Sequence, residues 1–276
     1  MKKFVFLLSL AMFAGVFSVG AYERPRSYPP RGFRRGGNGP RNFRSGGGPT
    51  VAPPKDLIND ANLRRLTFNS PNGKVDYCEF LENPDADGPM SLVLILHGMS
   101  DRGSDNLQQL ASPAVRPLLK FVRQRKIKAL VLIPQCPADR DWARGEKSLI
   151  GVLYDLVAAK RKRYAVPAER SVITGFSMGG GACYLFMMSH PGVFKRALVV
   201  STGGIRSWAS NLSGGEFYIA VGSEDQVISV GNAEALAREL TKRNRVRFEK
   251  LPGLDHTATA VKVYSGDCWN WAFGLE

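Results

Sequence analysis

The chain has 276 residues, 44% hydrophobic and 22% charged, with 38 basic against 24 acidic side chains for a formal net charge of +14. That make-up suits a globular enzyme of one or two domains. A single long apolar stretch, at the start, excludes a multi-span membrane protein, and none of the four cysteines has the spacing of a zinc site.

Met1-Lys2-Lys3 is a short basic start, Phe4 to Phe17 a nearly unbroken apolar run, and Val19-Gly20-Ala21 a small-residue exit. This is the three-part plan of a secretory signal peptide over 1–21, and the apolar run is shorter than the roughly 20 residues of a spanning helix. The expected destination is secreted or periplasmic, with no membrane span after cleavage. Residues 22–54 are rich in Arg, Gly and Pro and lack apolar periodicity, so they are expected to be disordered. Of the net charge, +2 falls in the first 21 residues and +6 in 22–47, which leaves a mildly basic +6 for the remainder. The Arg-Gly stretch resembles RNA-binding tails, but export favours a tether to an anionic cell-surface polymer over nucleic acid.

A compact domain is expected over 55–276. Leu63–Phe68 and Lys74–Leu81 read as strands around an Asn-Ser-Pro-Asn-Gly turn. Leu92–Leu96 and Ala129–Ile133 are continuous apolar runs, as in strands buried on both faces. Glu146–Lys162 has helical spacing on Leu149, Val152, Leu153, Leu156 and Val157. Strands at 171–174, 197–201, 216–221 and 245–250 then alternate with helices at 178–188 and 232–243. The alternation predicts an α/β fold, a mostly parallel central sheet flanked by helices, with its site at the carboxyl ends of the strands. Cys78, Cys136, Cys183 and Cys268 allow three pairings, and either one disulfide or none is compatible with the sequence.

Gly175-Phe176-Ser177-Met178-Gly179 fits the Gly-x-Ser-x-Gly nucleophile elbow. The bare pattern is weak; the strand before it and the apolar helix after it give it weight. A serine hydroxyl needs a base. His97 ends a buried strand, and His190 lies about three helical turns from Ser177, so His256 is selected by elimination. The acid should follow a strand between Ser177 and His256, where Gly222-Ser223-Glu224-Asp225 offers Asp225 first and Glu224 as the alternative. Asp255 adjoins the base but is badly placed to orient its ring. Backbone donors for an oxyanion are expected at Met178 and at Met99, after the His97-Gly98 strand end. No metal and no cofactor are expected.

With these residues in view, 95–107 (Ile-Leu-His-Gly-Met-Ser-Asp-Arg-Gly-Ser-Asp-Asn-Leu) resembles the His-Gly-x-Gly-(Asp/Glu)-Arg-Gly-x-Asp-Asn pattern of a branch of the α/β hydrolases. That branch, often described as predicted peptidases, is similar to feruloyl esterases, dienelactone hydrolases and the phospholipase/carboxylesterase group. Ile133-Pro134-Gln135-Cys136-Pro137 with Trp142, the 222–225 loop and Asp255-His256 extend the likeness over about 63–276. The resemblance implies an α/β-hydrolase fold with no large lid domain. It implies Ser177, Asp225 and His256 as a triad, Met99 and Met178 as oxyanion donors, and Gln135 and Trp142 as candidate substrate contacts. Ser100 departs from the Gly of the pattern, which bears on acyl-group size. The expected activity is hydrolysis of small or polymer-linked carboxylic esters, including feruloyl or acetyl groups on polysaccharides. Competing readings are a serine peptidase acting on small peptides, and an anionic-polymer-binding protein with a vestigial hydrolase domain.

Overall fold

The computed structural model describes residues 51–143, 145 and 148–276. The expected signal peptide, and all but the last four residues of the expected disordered segment, lie outside the described residues.

All eight strands read from the sequence form one sheet: β1 (Leu63–Ser70), β2 (Gly73–Glu82), β3 (Ser91–Leu96), β4 (Ala129–Pro134), β5 (Ser171–Phe176), β6 (Arg196–Val200), β7 (Glu216–Gly222) and β8 (Arg245–Leu251). Their spatial order is β1-β2-β4-β3-β5-β6-β7-β8. The β1–β2 and β2–β4 pairs are antiparallel, and every pair from β4 to β8 is parallel. The helices are α1 (Lys55–Ile58), α2 (Val115–Gln124), α3 (Ile150–Arg163), α4 (Met178–Ser189), α5 (Val230–Leu240), α6 (His256–Tyr264) and α7 (Cys268–Phe273).

Strand periodicity divides the core. Leu92, Leu94 and Leu96 of β3 pack with α3, α4 and α5, while Val93 and Ile95 pack with α2, α6 and α7. A sheet covered on both faces needs apolar residues at every position, and all six residues of β3, β4 and β5 are buried. The β6–β7 connection, residues 201–215, is a short loop and one 3₁₀ segment (Arg206–Asn211), so no lid domain grows there. Helix α3 begins at Ile150 rather than at Glu146.

The four cysteines are all buried and free. Burial pushes the thiols of Cys78 and Cys136 up to about 12, so they stay protonated.

Candidate active site

The β5–α4 turn sets the geometry. Ser177 has φ 55° and ψ −116°, a strained conformation for a residue with a side chain. Its amide donates to the Val200 carbonyl (3.0 Å), and its own carbonyl receives the Gly181 amide (3.2 Å), so strand and helix both fix it. The flanking glycines answer to backbone crowding. A Cβ on Gly175 would lie 2.7 Å from the Gly180 nitrogen, and one on Gly179 2.5 Å from the Leu96 carbonyl carbon. Any side chain at Gly179 would thus push α4 away from the end of β3, where the Gly98-Met99 loop begins.

Three side chains from three elements then meet. His256 Nε2 lies 2.8 Å from Ser177 Oγ, and His256 Nδ1 lies 2.8 Å from Asp225 Oδ2. The Asp225 side chain is fully buried, and its other oxygen accepts from the amides of Val227 (2.9 Å) and Ile228 (3.2 Å). These bonds satisfy the carboxylate and fix which oxygen faces the imidazole. Glu224 is exposed and joins the site only through its backbone, its amide donating to the Leu254 carbonyl (3.1 Å).

His256 is the first residue of α6, not part of a loop. Asp255 is the N-cap, its carboxylate accepting from the amides of Thr257 (3.0 Å) and Ala258 (2.8 Å). Gly222 permits the close approach of this turn to β7, since a Cβ there would meet the Leu254 carbonyl carbon at 2.8 Å. Ser201 was not singled out by the sequence. It has φ 47°, is buried, and donates its hydroxyl to the His256 carbonyl (2.8 Å), which locks the backbone that carries the imidazole. Phe176 packs on the imidazole with ring centroids 5.0 Å apart.

Met99 and Met178 stand at the two backbone corners beside Ser177, after β3 and at the start of α4. Among the described residues neither amide meets an acceptor. The arrangement can deprotonate a hydroxyl at Ser177 and offer N–H groups to a developing negative charge.

Gln135 and Trp142 have other work. Both are buried, at 3% and 0% exposure. The Gln135 side-chain oxygen accepts from the Asn106 amide (2.7 Å), and its nitrogen donates to Asp105 Oδ1 (2.7 Å). The Trp142 indole donates to the His97 carbonyl (3.0 Å). Their polar atoms are consumed in holding the 98–107 loop, so these side chains act behind the site rather than as contacts at its surface.

His97 and His190 are likewise occupied. His190 lies at the far end of α4, stacked on Tyr154 with centroids 4.1 Å apart. His97 Nδ1 donates to the Gly98 carbonyl (2.7 Å), and Nε2 accepts the Cys136 amide (3.0 Å). Burial pulls His97 down from 6.5 to about 4. Nearby, burial pushes Asp101 up from 3.8 to about 6, partly offset by bonds from the Ser100 hydroxyl (3.1 Å) and the Gly98 backbone. Each move corresponds to about 3 kcal/mol. The signs are opposite. The lowered histidine contributes stability that is present above pH 6.5 and lost as pH falls toward 4, while the raised carboxyl gains stability as pH falls from 6 toward 4. Asp101→Asn removes only the second effect. Relative to wild type, the variant should therefore lose about 3 kcal/mol between pH 7 and pH 4 in urea unfolding; a pH-independent difference would contradict this.

No protein-family model and no curated protein matches the chain. Solved structures do. A thermostable esterase is 25% identical with a TM-score of 0.67 over 77% of this chain and 63% of that one. The chain thus spans under two thirds of that esterase's length. An esterase from Pyrococcus furiosus is 15% identical with a TM-score of 0.58, covering 82% of this chain and 96% of its own. A ferulic acid esterase is 13% identical with a TM-score of 0.61, covering 78% and 98%. With these likenesses and the eight-stranded sheet, the chain has the α/β-hydrolase fold, with no large lid among the described residues, as its resemblance to the esterase branch implied.

Proposed function

We propose that this α/β-hydrolase chain is an exported serine hydrolase that cleaves carboxylic esters through an acyl-enzyme. The observation that carries the reading is the unbroken line of bonds from Asp225 through His256 to Ser177. Ser177 Oγ attacks the ester carbonyl as His256 Nε2 takes its proton. The tetrahedral oxyanion is received by the Met99 and Met178 amides. Collapse expels the alcohol, which leaves with the proton from Nε2. Water then repeats the sequence on the acyl-enzyme, releasing the acid and restoring Ser177. Asp225 holds the imidazole in the tautomer with Nδ1 protonated and stabilises the imidazolium.

The surroundings favour accessible acyl groups over long lipid chains. Among the described residues no lid covers Ser177, and Met99 (55% exposed) and Val227 (70%) stand in loops after β3 and β7, on the same edge of the sheet as the serine. These two apolar side chains suit an aromatic or short acyl group such as feruloyl or acetyl, carried on a soluble or polymeric alcohol. The esterase and ferulic acid esterase likenesses lean the same way.

Purified protein should release p-nitrophenol from p-nitrophenyl acetate with a burst equal to the enzyme concentration, and should hydrolyse methyl ferulate. Inertness across acetyl, butyryl and feruloyl esters would sink the proposal.

A further inference from the structure

The two edges of the parallel sheet differ in charge. Loops at the carboxyl edge, around Ser177, carry Asp101, Asp105, Glu224, Asp225 and Asp255 against Arg102 and Arg140. The amino edge has the opposite character. Entry to successive strands is marked by Lys128 before β4, Arg170 before β5, Lys195 before β6 and Arg245 at the start of β8.

Backbone and side-chain bonds join these positions into one row. The Ser91 amide donates to the Lys128 carbonyl (2.9 Å), and Arg170 Nε donates to Ser91 Oγ (3.2 Å). The Lys195 amide donates to Ser171 (3.2 Å), Glu216 to Lys195 (2.9 Å) and Arg245 to Gly215 (3.1 Å). From β4 to β8 the row crosses five strand spacings, about 24 Å. Exposed Lys126, Lys162, Arg163 and Arg243 flank it at the ends of α2, α3 and α5. Acids share the edge: Asp85, Asp87 and Glu169 are exposed, Glu82 and Asp60 are held by Arg123 (2.5 and 2.7 Å), Glu239 pairs with Arg206 (3.0 Å) and Lys242 (2.5 Å), and Glu216 is buried and held by Lys195 (3.8 Å), Arg196 (3.1 Å) and Arg245 (3.7 Å).

Basic residues in a last helical turn complement the helix dipole, which accounts for Lys162 and Arg163. It does not account for Lys128, Arg170, Lys195 and Arg245, which lie in strand entries. We propose that this amino edge is a docking face for an anionic polysaccharide, holding the enzyme on a carboxylate-bearing polymer with Ser177 turned to the opposite side. Charge complementarity along a row matches a linear polyanion, whose repeated carboxylates meet successive cations. A membrane-docking face adds several apolar side chains to its cations. Here the only large exposed apolar residue beside the row, among the described residues, is Leu275, next to the Gly274 turn that packs on Arg196. Single-stranded nucleic acid is gripped by aromatic stacking, and the aromatics near this edge, Phe121, Tyr164 and Phe273, are partly buried. The inference is independent of the ester chemistry.

The test is equilibrium binding of the full chain to polygalacturonate at low and high salt. Wild type should bind at low salt and release as salt rises. Lys128→Gln, Lys162→Gln and Arg245→Gln combined should weaken binding about tenfold or more. An equal charge change elsewhere, Lys55→Gln, Lys120→Gln and Lys250→Gln combined, should leave it within about twofold. Both sets should keep the wild-type unfolding temperature. If the first set fails to fold, the single variants Lys162→Gln and Arg245→Gln, both at exposed positions, should each show part of the loss. Equal loss in both sets, no binding at low salt, or tighter binding to phosphatidylglycerol vesicles or to poly(U) would overturn the proposal.

Discussion

Ser177→Ala is expected to lower kcat/KM for every ester the chain turns over by about a millionfold. The substitution deletes one oxygen, the atom 2.8 Å from His256 Nε2. It leaves the elbow standing, because the strained turn is held by the Ser177 amide on Val200 and by the close backbone approach of Gly175 and Gly179. Both unpaired amides survive as well, so residual rate above water and unchanged affinity for a non-hydrolysable ester analogue are expected. Rates come from initial velocities on p-nitrophenyl acetate, and integrity from thermal unfolding. A variant that keeps more than a small fraction of wild-type kcat while remaining folded would place the nucleophile elsewhere.

Asp225→Asn should cost about 10⁴ in kcat with little change in KM. The reason lies in the two donors on Asp225 Oδ1. The Val227 and Ile228 amides need an oxygen there, so the new amide NH2 must occupy the Oδ2 position facing His256 Nδ1. An N–H presented to Nδ1 forces that nitrogen to accept, which puts the imidazole proton on Nε2, pointing at Ser177. The base is then in the wrong tautomer while every heavy atom keeps its place. Glu224→Gln changes an exposed side chain whose only tie to the site is its backbone amide, and should leave kcat unaltered. If Glu224→Gln proved the damaging one, the acid would have to be reassigned.

Much of this was legible in the sequence, and the reasons differ by element. The eight strands stood out because a sheet buried on both faces demands apolar runs such as 92–96 and 129–133. Helix α2 escaped notice although Val115, Leu118, Leu119 and Val122 have helical spacing. Pro117 reads as a breaker, yet at the third helical position the N–H it lacks has no partner within the helix. Helix α6 escaped because its polar HTATAVK start shows little periodicity; Asp255 as a cap was its available sign. Ser177, Asp225 and His256 could be chosen because the order of strand ends constrains them. Ser201 could not, since its contact is with a carbonyl 55 residues away, and carbonyls leave no trace in residue identity. Gln135 and Trp142 belong to the motif as sequence, but a motif does not reveal facing. The burial of Gln135 follows from the 98–107 loop folding over the end of β4, and that of Trp142 from its packing on His97 and the core beneath α3.

The four free cysteines carry a consequence for handling. Each sits in a different part of the molecule: Cys78 on β2 behind the Asn106 turn, Cys136 past the end of β4, Cys183 inside α4 and Cys268 at the start of α7. Protonated and shut away from solvent, they are poor targets for alkylating agents while the fold is intact, and reductants have no bridge among them to break. Labelling by iodoacetamide, resolved thiol by thiol, therefore reads the rate at which each layer opens, so the native chain carries four built-in clocks for its own unfolding.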